Sequence, residues 1–311
     1  WTTSAFTDDS KLRNEFFKIK NTNINKINNL QRPANRYVAL DNYAVHYSIK
    51  KVLKRMLIKL FFKLEFIIKD ILAFKIQKRM SFYRILMFEY YGWSAYNFFE
   101  KFSISDIKGF NKPFIFFALA LEPEFSVHAR SKEFNNQEAI IRQLAINMPA
   151  GYDLVVKEHV DIGRRENQFY KRLLRFPNIK IAHPKIPGSE IVKKSIAVAS
   201  LVGTVTLEAC IEGKYAIEFS RHSSFSFMSN VITVTDIAKL REVLLLASKK
   251  RTCNEIEKIK KNAATLIASI ERSSFKAGNT PLFYGNKYKL NPSQLKIIIE
   301  QFIFAFRNKK I

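Results

Sequence analysis

Between residues 109 and 249, short apolar runs alternate with segments of helical period, and this alternation restricts the fold more than any other feature. The runs occupy 114–118, 153–157, 179–182, 196–200, 216–219 and 231–234. Helical patterns lie between them at 137–147, 166–176, 189–194 and 204–212, and another follows the last run at 237–248. Asn135 stands where a helix cap belongs, and Pro187-Gly188 punctuates the entry to a later helix. Strands alternating with helices in this way predict parallel βαβ units, and so an α/β fold with a doubly wound parallel sheet. Ligands of such sheets bind beyond the carboxyl ends of the strands. That rule selects the segments in which to look for chemistry.

The flanks read differently. Residues 1–108 are expected to be mainly helical, the remnant of a truncated N-terminal domain plus a linker, because the chain opens on Trp1. Ser10 precedes a helix-like run, and 21–35 is a mostly polar stretch with Arg32-Pro33, read as a loop. From 52 to 76, Leu53, Leu57, Leu60, Leu64, Ile67, Ile71 and Phe74 recur three or four residues apart, the spacing of one helix face. Lys59, Lys63, Lys69, Asp70 and Lys75 interrupt this segment, so it cannot span a bilayer unaided. Phe61, Phe62, Phe66 and Ile68 widen its apolar face. We therefore expect it to pack on its own domain rather than lie in the interface of an anionic membrane. Residues 250–311 are expected to form C-terminal helices, 254–270 and one opening at Asn291-Pro292, that pack back on the sheet domain.

Composition then narrows the partners. Hydrophobic residues make up 47% of 311, enough for a substantial core. Lys and Arg number 52 against 27 acidic residues, a formal net charge of +25, which favours anionic partners. Nothing resembles a helix-turn-helix, a zinc finger or an RNA-recognition signature, so nucleic acid is set aside. Two cysteines cannot form a disulfide scaffold and point to a reducing, cytoplasmic setting, with peripheral attachment to the inner membrane left open. The five histidines show no ligand spacing, so no metal is expected. There is neither a P-loop nor a GxGxxG sequence, and no cofactor is expected.

Three strand ends carry the candidate chemistry. After the first run comes Leu121-Glu122-Pro123-Glu124, whose carboxylates Glu122 and Glu124 could take acid/base or hydroxyl-binding roles, or simply line a solvated loop. After the second comes Lys157-Glu158-His159, where the lysine could pair with a phosphate and the histidine could donate to it or shuttle a proton. The third is Ser200-Leu201-Val202-Gly203-Thr204 running into Val205-Thr206-Leu207-Glu208. There a strand ends on Ser200, Gly203 permits close backbone approach, and a helix starts at once with free N–H groups suited to phosphate. Glu208 lies one turn inside, where a carboxylate can accept hydrogen bonds from two ribose hydroxyls. Alternatively, Gly203 serves a tight turn and Glu208 is a surface carboxylate.

Taken together, these signals resemble the bacterial capsule polysaccharide biosynthesis family, relatives of the Kdo transferases with a GT-B-like architecture. The resemblance covers about 111–235 and rests on several blocks. They are the Pro-Glu segment with Phe134-Asn135-Asn136-Gln137, Met148-Pro149-Ala150-Gly151, Val156-Lys157-Glu158-His159, Phe169-Tyr170, Pro177-Asn178-Ile179, Gly203-Thr204 with Glu208-Ala209, and Glu212-Gly213-Lys214. It implies a Rossmann-like domain at 109–249 that binds a nucleotide-sugar donor, such as a CMP-linked acid sugar. The acceptor would be a growing surface glycan or a lipid-linked glycan. By the same resemblance Lys157 and His159 would contact the donor's phosphate or sugar acid, Gly203 and Thr204 its nucleotide phosphate, and Glu208 its ribose. Glu122 or Glu124 would face the cleft. The chain departs from the family at Val160, where proline usually follows the histidine, and at Glu122, commonly glutamine. Transfer of a phosphopolyol from a CDP donor would need nearly the same site, and a non-catalytic basic membrane module is the alternative outside enzymes.

Overall fold

The computed structural model describes residues 9–19, 47–72, 82–121, 131–159, 162–163, 165–201, 203–220 and 225–273, with 296, 299 and 300. The chain divides into two compact units, Gln31–Lys260 and a second that joins Trp1–Leu30 to Lys261–Ile311.

The larger unit is built on six parallel strands: β1 (Phe114–Ala118), β2 (Asp153–Lys157), β3 (Ile179–Ala182), β4 (Ala197–Ser200), β5 (Tyr215–Glu218) and β6 (Val231–Thr233). Their order is β3-β2-β1-β4-β5-β6, with all pairs parallel. This is the doubly wound α/β sheet expected from the alternation, and its strand order reverses between β1 and β4. Helices on both faces bury most of the strand residues. Ile115, Phe117, Leu154, Val198, Ala199 and Ile217 are inaccessible to solvent, as near-continuous apolar runs of a parallel sheet require.

The connecting helices are α4 (Gln137–Asn147), α5 (Asn167–Leu173), α6 (Gly188–Lys194), α7 (Val205–Ile211) and α8 (Leu240–Ser248). Before them come α1 (Asp9–Lys18), α2 (Ile49–Leu72) and α3 (Phe82–Phe102); after them, α9 (Cys253–Ser273). Several ends differ from expectation for local reasons. The cap of α4 is Asn136, not Asn135, because the Asn136 side chain is the one that accepts from Ala139 N, at 3.1 Å. The pattern at 166–176 yields a shorter α5, since Arg175 N and Phe176 N bond three residues back and tighten the chain out of the helix. The pattern at 237–248 splits into a 3-10 turn, Ile237–Lys239, capped by Asp236, and α8. Helix α9 starts one residue before the expected 254, because Thr252 and Glu255 form a capping box: Thr252 N donates to Glu255 Oε2 at 2.7 Å, and Glu255 N donates back to Thr252 Oγ1 at 3.3 Å. The loop expected at 21–35 and the start of the helix expected at Asn291-Pro292 lie outside the described residues.

Helix α3 leads directly into the sheet. Ile104 forms a single parallel bridge to Ala182, with Ile104 N donating to Ile181 O and His183 N to Ile104 O. Gly163, in the loop after β2, has φ +87 and presses on α3: a Cβ there would lie 2.6 Å from Gly92 N and 2.7 Å from Gly92 Cα. Only glycine fits between two backbones at that distance. In the smaller unit, α1 buries Phe16 and exposes Phe17, while Ala263, Leu266, Ile267 and Ile270 of α9 are buried.

Candidate functional site

The carboxyl ends of β1, β2 and β4 meet at the point where the strand order reverses, and polar side chains gather there. Lys157 closes β2. It is a full ladder member, paired with Ala118 on one side and Ala182 on the other, and only 8% exposed. Its Nζ donates to the Glu158 carbonyl at 3.1 Å. Burial pulls the Lys157 ammonium down to about 8, against the opposing pull of the Glu158 and Glu208 carboxylates. Glu208, on α7, is therefore near enough to act on Lys157 through space, so β2 and α7 contribute opposite charges to one site.

Glu158 itself points inward. It is 2% exposed and takes Arg165 Nη1 on both oxygens, at 2.8 and 2.7 Å. Tyr170 Oη donates to Oε2 at 2.5 Å, and the backbone N–H of His159 donates to Oε1 at 2.7 Å. Arg165 spends a second nitrogen, Nη2, on the Ala120 carbonyl just beyond β1, at 2.5 Å. The same Ala120 is gripped by Gln137, whose Oε1 accepts from Ala120 N at 2.8 Å and whose Nε2 donates to Ala120 O at 3.1 Å. Gln137, from the start of α4, thus does for Ala120 what a neighbouring strand would do. The exits of β1 and β2 are locked together by a buried, charge-assisted clasp.

On the other side of β1, Ser200 ends β4 within 3.5 Å of Thr206 Oγ1, which donates to Glu218 Oε1 at 2.5 Å. Glu218 ends β5 and is 1% exposed. Gly203 meets open space: a Cβ there would touch nothing nearer than Val205, at 3.9 Å. Its lack of a side chain is not a packing requirement, and a ligand could approach its backbone. Thr204 is exposed and stands at the N-cap position of α7 without a side-chain cap bond. With only seven residues, α7 is shorter than the 204–212 helix expected, and a helix so short supplies a weak dipole. Among the described residues, Lys157 brings a positive charge to this edge.

Of the residues singled out from sequence, Lys157, Ser200, Gly203, Thr204 and Glu208 fall on the carboxyl edge of β2, β4 and the segment that follows β4. His159 is half-buried two residues beyond β2, held through its backbone by Glu158. Glu122 and Glu124 lie outside the described residues. Arg165, Gln137, Thr206 and Glu218 were not anticipated as members. The Glu212-Gly213-Lys214 block is structural. Gly213 has φ +71 with Ile256 Cγ2 2.6 Å from where a Cβ would be. Lys214 Nζ donates to the carbonyls of Val192 and Lys193 at 2.7 and 2.6 Å, and to that of Ser195, closing the carboxyl end of α6. His183, just past β3, is fully buried, and burial drives its imidazole down to about 4, so it stays neutral beside Glu100. Among the described residues no three His, Cys, Asp or Glu side chains are placed to hold a metal ion.

No family model and no curated protein matches the chain. Solved structures do. A glycotransferase of kitacinnamycin is 13% identical with a TM-score of 0.34, covering 56% of this chain and 44% of its own. The KpsC beta Kdo 2,7 transferase of Thermosulfurimonas dismutans is 14% identical with a TM-score of 0.36, covering 65% and 57%. Anabaena Alr3699/HepE, in complex with UDP-glucose, is 15% identical with a TM-score of 0.33, covering 52% and 45%. The chain spans about half the length of each, and the likeness concerns the fold alone.

Proposed function

We propose that residues 109–249 form the donor-binding part of a glycosyltransferase that moves a sugar from a nucleotide-activated donor to a capsular or surface glycan. What supports this reading is the buried Lys157 at the carboxyl end of β2, on which the Glu208 carboxylate of α7 acts, with Gly203 and Thr204 in the segment that follows β4 at the same sheet edge. A buried cation at a strand end, with an open backbone segment on the same sheet edge, suits an anionic group with a sugar attached. In transfer, the bond between the anomeric carbon and the donor phosphate breaks as an acceptor hydroxyl attacks that carbon. Lys157 then faces the negative charge that grows on the leaving phosphate. Gly203 N–H and the Thr204 hydroxyl donate to the nucleotide phosphates, Ser200 lines the floor, and Glu208 accepts from the ribose hydroxyls. His159 contacts the donor's phosphate or sugar acid. The proton of the attacking hydroxyl goes to His159 or Glu124, and the family resemblance gives Glu122 a donor-binding role. The family resemblance favours a CMP-linked acid sugar as donor and a glycan or lipid-linked glycan as acceptor.

The test is thermal stability against CMP, CDP, UDP, GDP and ADP, with Lys157→Ala and Glu208→Ala alongside. A nucleotide at about 100 times its dissociation constant adds about 2.7 kcal/mol to the native state, a readily measured shift. Stabilisation by a cytidine or uridine nucleotide that both substitutions abolish is the expected result. Unchanged affinity in both variants overturns the residue assignment, and no response to any nucleotide overturns the donor site. A chain that then turns over CDP-polyol rather than a nucleotide sugar would carry out phosphopolyol transfer.

A further inference from the structure

Helix α2 packs the wrong way round for an ordinary amphipathic helix. Its 24 residues carry seven Lys and Arg against two acidic residues. The side that meets α3 carries charge: Arg55 Nε and Lys59 Nζ both reach Glu89, at 2.8 and 2.5 Å, and Glu89 is only 6% exposed, while Met56, Leu60 and Ile67 are half-buried. Burial works against Glu89's charge, yet Lys59 and Arg55 hold its carboxyl below the ordinary range. Val52, three residues before Arg55 in the helix, is 2% exposed. The apolar stripe points to solvent instead. Ile49, Leu53, Leu57, Phe61, Leu64 and Ile68, spaced four, four, four, three and four apart, are 49, 53, 68, 68, 51 and 57% exposed. The expectation that this face packs on its own domain is thus not met for Leu53, Leu57 and Leu64.

We propose that this face of α2 lies in the plane of an anionic lipid surface. The stripe runs about 29 Å along the helix at 1.5 Å per residue. At its amino end Lys50 and Lys54 are exposed, placed to let their stems follow the apolar face while their ammonium groups reach lipid phosphates. The charge decides the occupant. With seven cations against two carboxylates on the helix, a second copy would gather net positive charge at the contact, whereas an anionic surface neutralises it. No described helix is long and apolar enough to cross a membrane, so the contact is in-plane. The placement also fits the site. Glu89 is one turn from Gly92, against which the loop leaving the carboxyl end of β2 packs through Gly163. Through α3, the exposed face is tied to the end of the sheet where Lys157 lies.

The test is co-sedimentation of the full chain with phosphatidylcholine vesicles, alone or with a third of the lipid replaced by phosphatidylglycerol. Binding is expected with the anionic vesicles only, and weakened at about 1 M salt, where the Debye length is about 3 Å. Leu57→Asp and Phe61→Asp replace side chains that are already exposed, so the fold is expected to stand, with far-UV circular dichroism as the check. Each should lower the partition constant at least about tenfold. Lys50→Glu with Lys54→Glu should lower it about fivefold or more for each lysine. Equal binding to neutral vesicles, or anionic binding that survives Leu57→Asp with Phe61→Asp, overturns the proposal. So does a dimer that persists on vesicles and is broken by that pair, which would give the face to a second copy. Nucleotide response is read separately on the same variants and should be unchanged, so failure here leaves the donor site standing.

Discussion

Replacing Lys157 with methionine keeps the length of the side chain and removes its charge, and the structure gives the size of the effect. Burial holds the Lys157 ammonium at about 8 in the folded chain against an ordinary 10.5. At about 1.36 kcal/mol per tenfold change in proton affinity, the folded state gives up about 3 kcal/mol by carrying this charge below pH 8. The sign follows from the direction. Because the folded value is depressed, the unfolded chain binds the extra proton between 8 and 10.5, so stability rises with pH through that window. Methionine should therefore stabilise the chain by about 1–3 kcal/mol at pH 7, after allowing about 1 kcal/mol for the lost bond to the Glu158 carbonyl. The groups acting on Lys157 are Glu158 and Glu208, which oppose the shift. Lys157 in turn helps to lower His183. Lys214 is also lowered to about 8 by burial, but it titrates identically in both proteins and cancels in the difference. Urea unfolding at pH 7 and pH 10 measures the effect, and at pH 10 the gap between the two proteins should shrink to under about 1 kcal/mol. A Lys157→Met protein that is less stable at pH 7, or a gap that does not change with pH, would refute the argument that the lysine is held at a cost.

Nucleotide binding should have the opposite pH trend: Lys157 must be protonated to face a phosphate, so affinity should fall as pH rises above about 8, seen by titration calorimetry. Arg165→Met leaves Glu158 buried without its partner and should destabilise the chain by about 3–5 kcal/mol in chemical denaturation. Gly163→Ala puts a Cβ into the Gly92 backbone at positive φ and should cost at least about 2 kcal/mol, whereas Gly203→Ala, facing open space, should leave stability nearly unchanged and lower nucleotide affinity.

What the sequence revealed and what it concealed divide along physical lines. Six strand positions were legible to within a residue because a parallel sheet buried on both faces writes itself as short apolar runs. The places of Lys157 and Ser200 at the carboxyl edge were legible because each closes such a run, and those of Gly203 and Glu208 because they fall in the segment and helix that follow one. Arg165 was not, for it lies seven residues beyond Glu158 in a loop whose path depends on Gly163 meeting Gly92. Gln137 was visible only as part of a motif, and its grip on Ala120 spans 17 residues. The Thr252–Glu255 box was readable from its spacing alone, and would have fixed the start of α9. The direction of α2 was hidden for a different reason. Periodicity identifies an apolar stripe but not which side packs, and here Glu89 draws Arg55 and Lys59 inward while the stripe turns out.

The two halves of the site are built on opposite terms, and that contrast says how it can work. Glu158, Arg165, Tyr170, Gln137 and the Ala120 backbone form a clasp in which nearly every buried polar atom named here is paired, which stiffens the exits of β1 and β2. Lys157, next in the chain to Glu158, has among the described residues the Glu158 carbonyl as hydrogen-bond acceptor, with the Glu158 and Glu208 carboxylates acting on it through space. A cation so placed loses most when the site is empty and gains most when an anion arrives, since the ligand restores the solvation that burial removed. The clasp holds the backbone that carries the lysine, since Glu158 follows it directly and Lys157 is itself a member of the β2 ladder. Binding an anionic group at this edge and stabilising the fold should therefore be one and the same event, largest at the pH where Lys157 is fully charged.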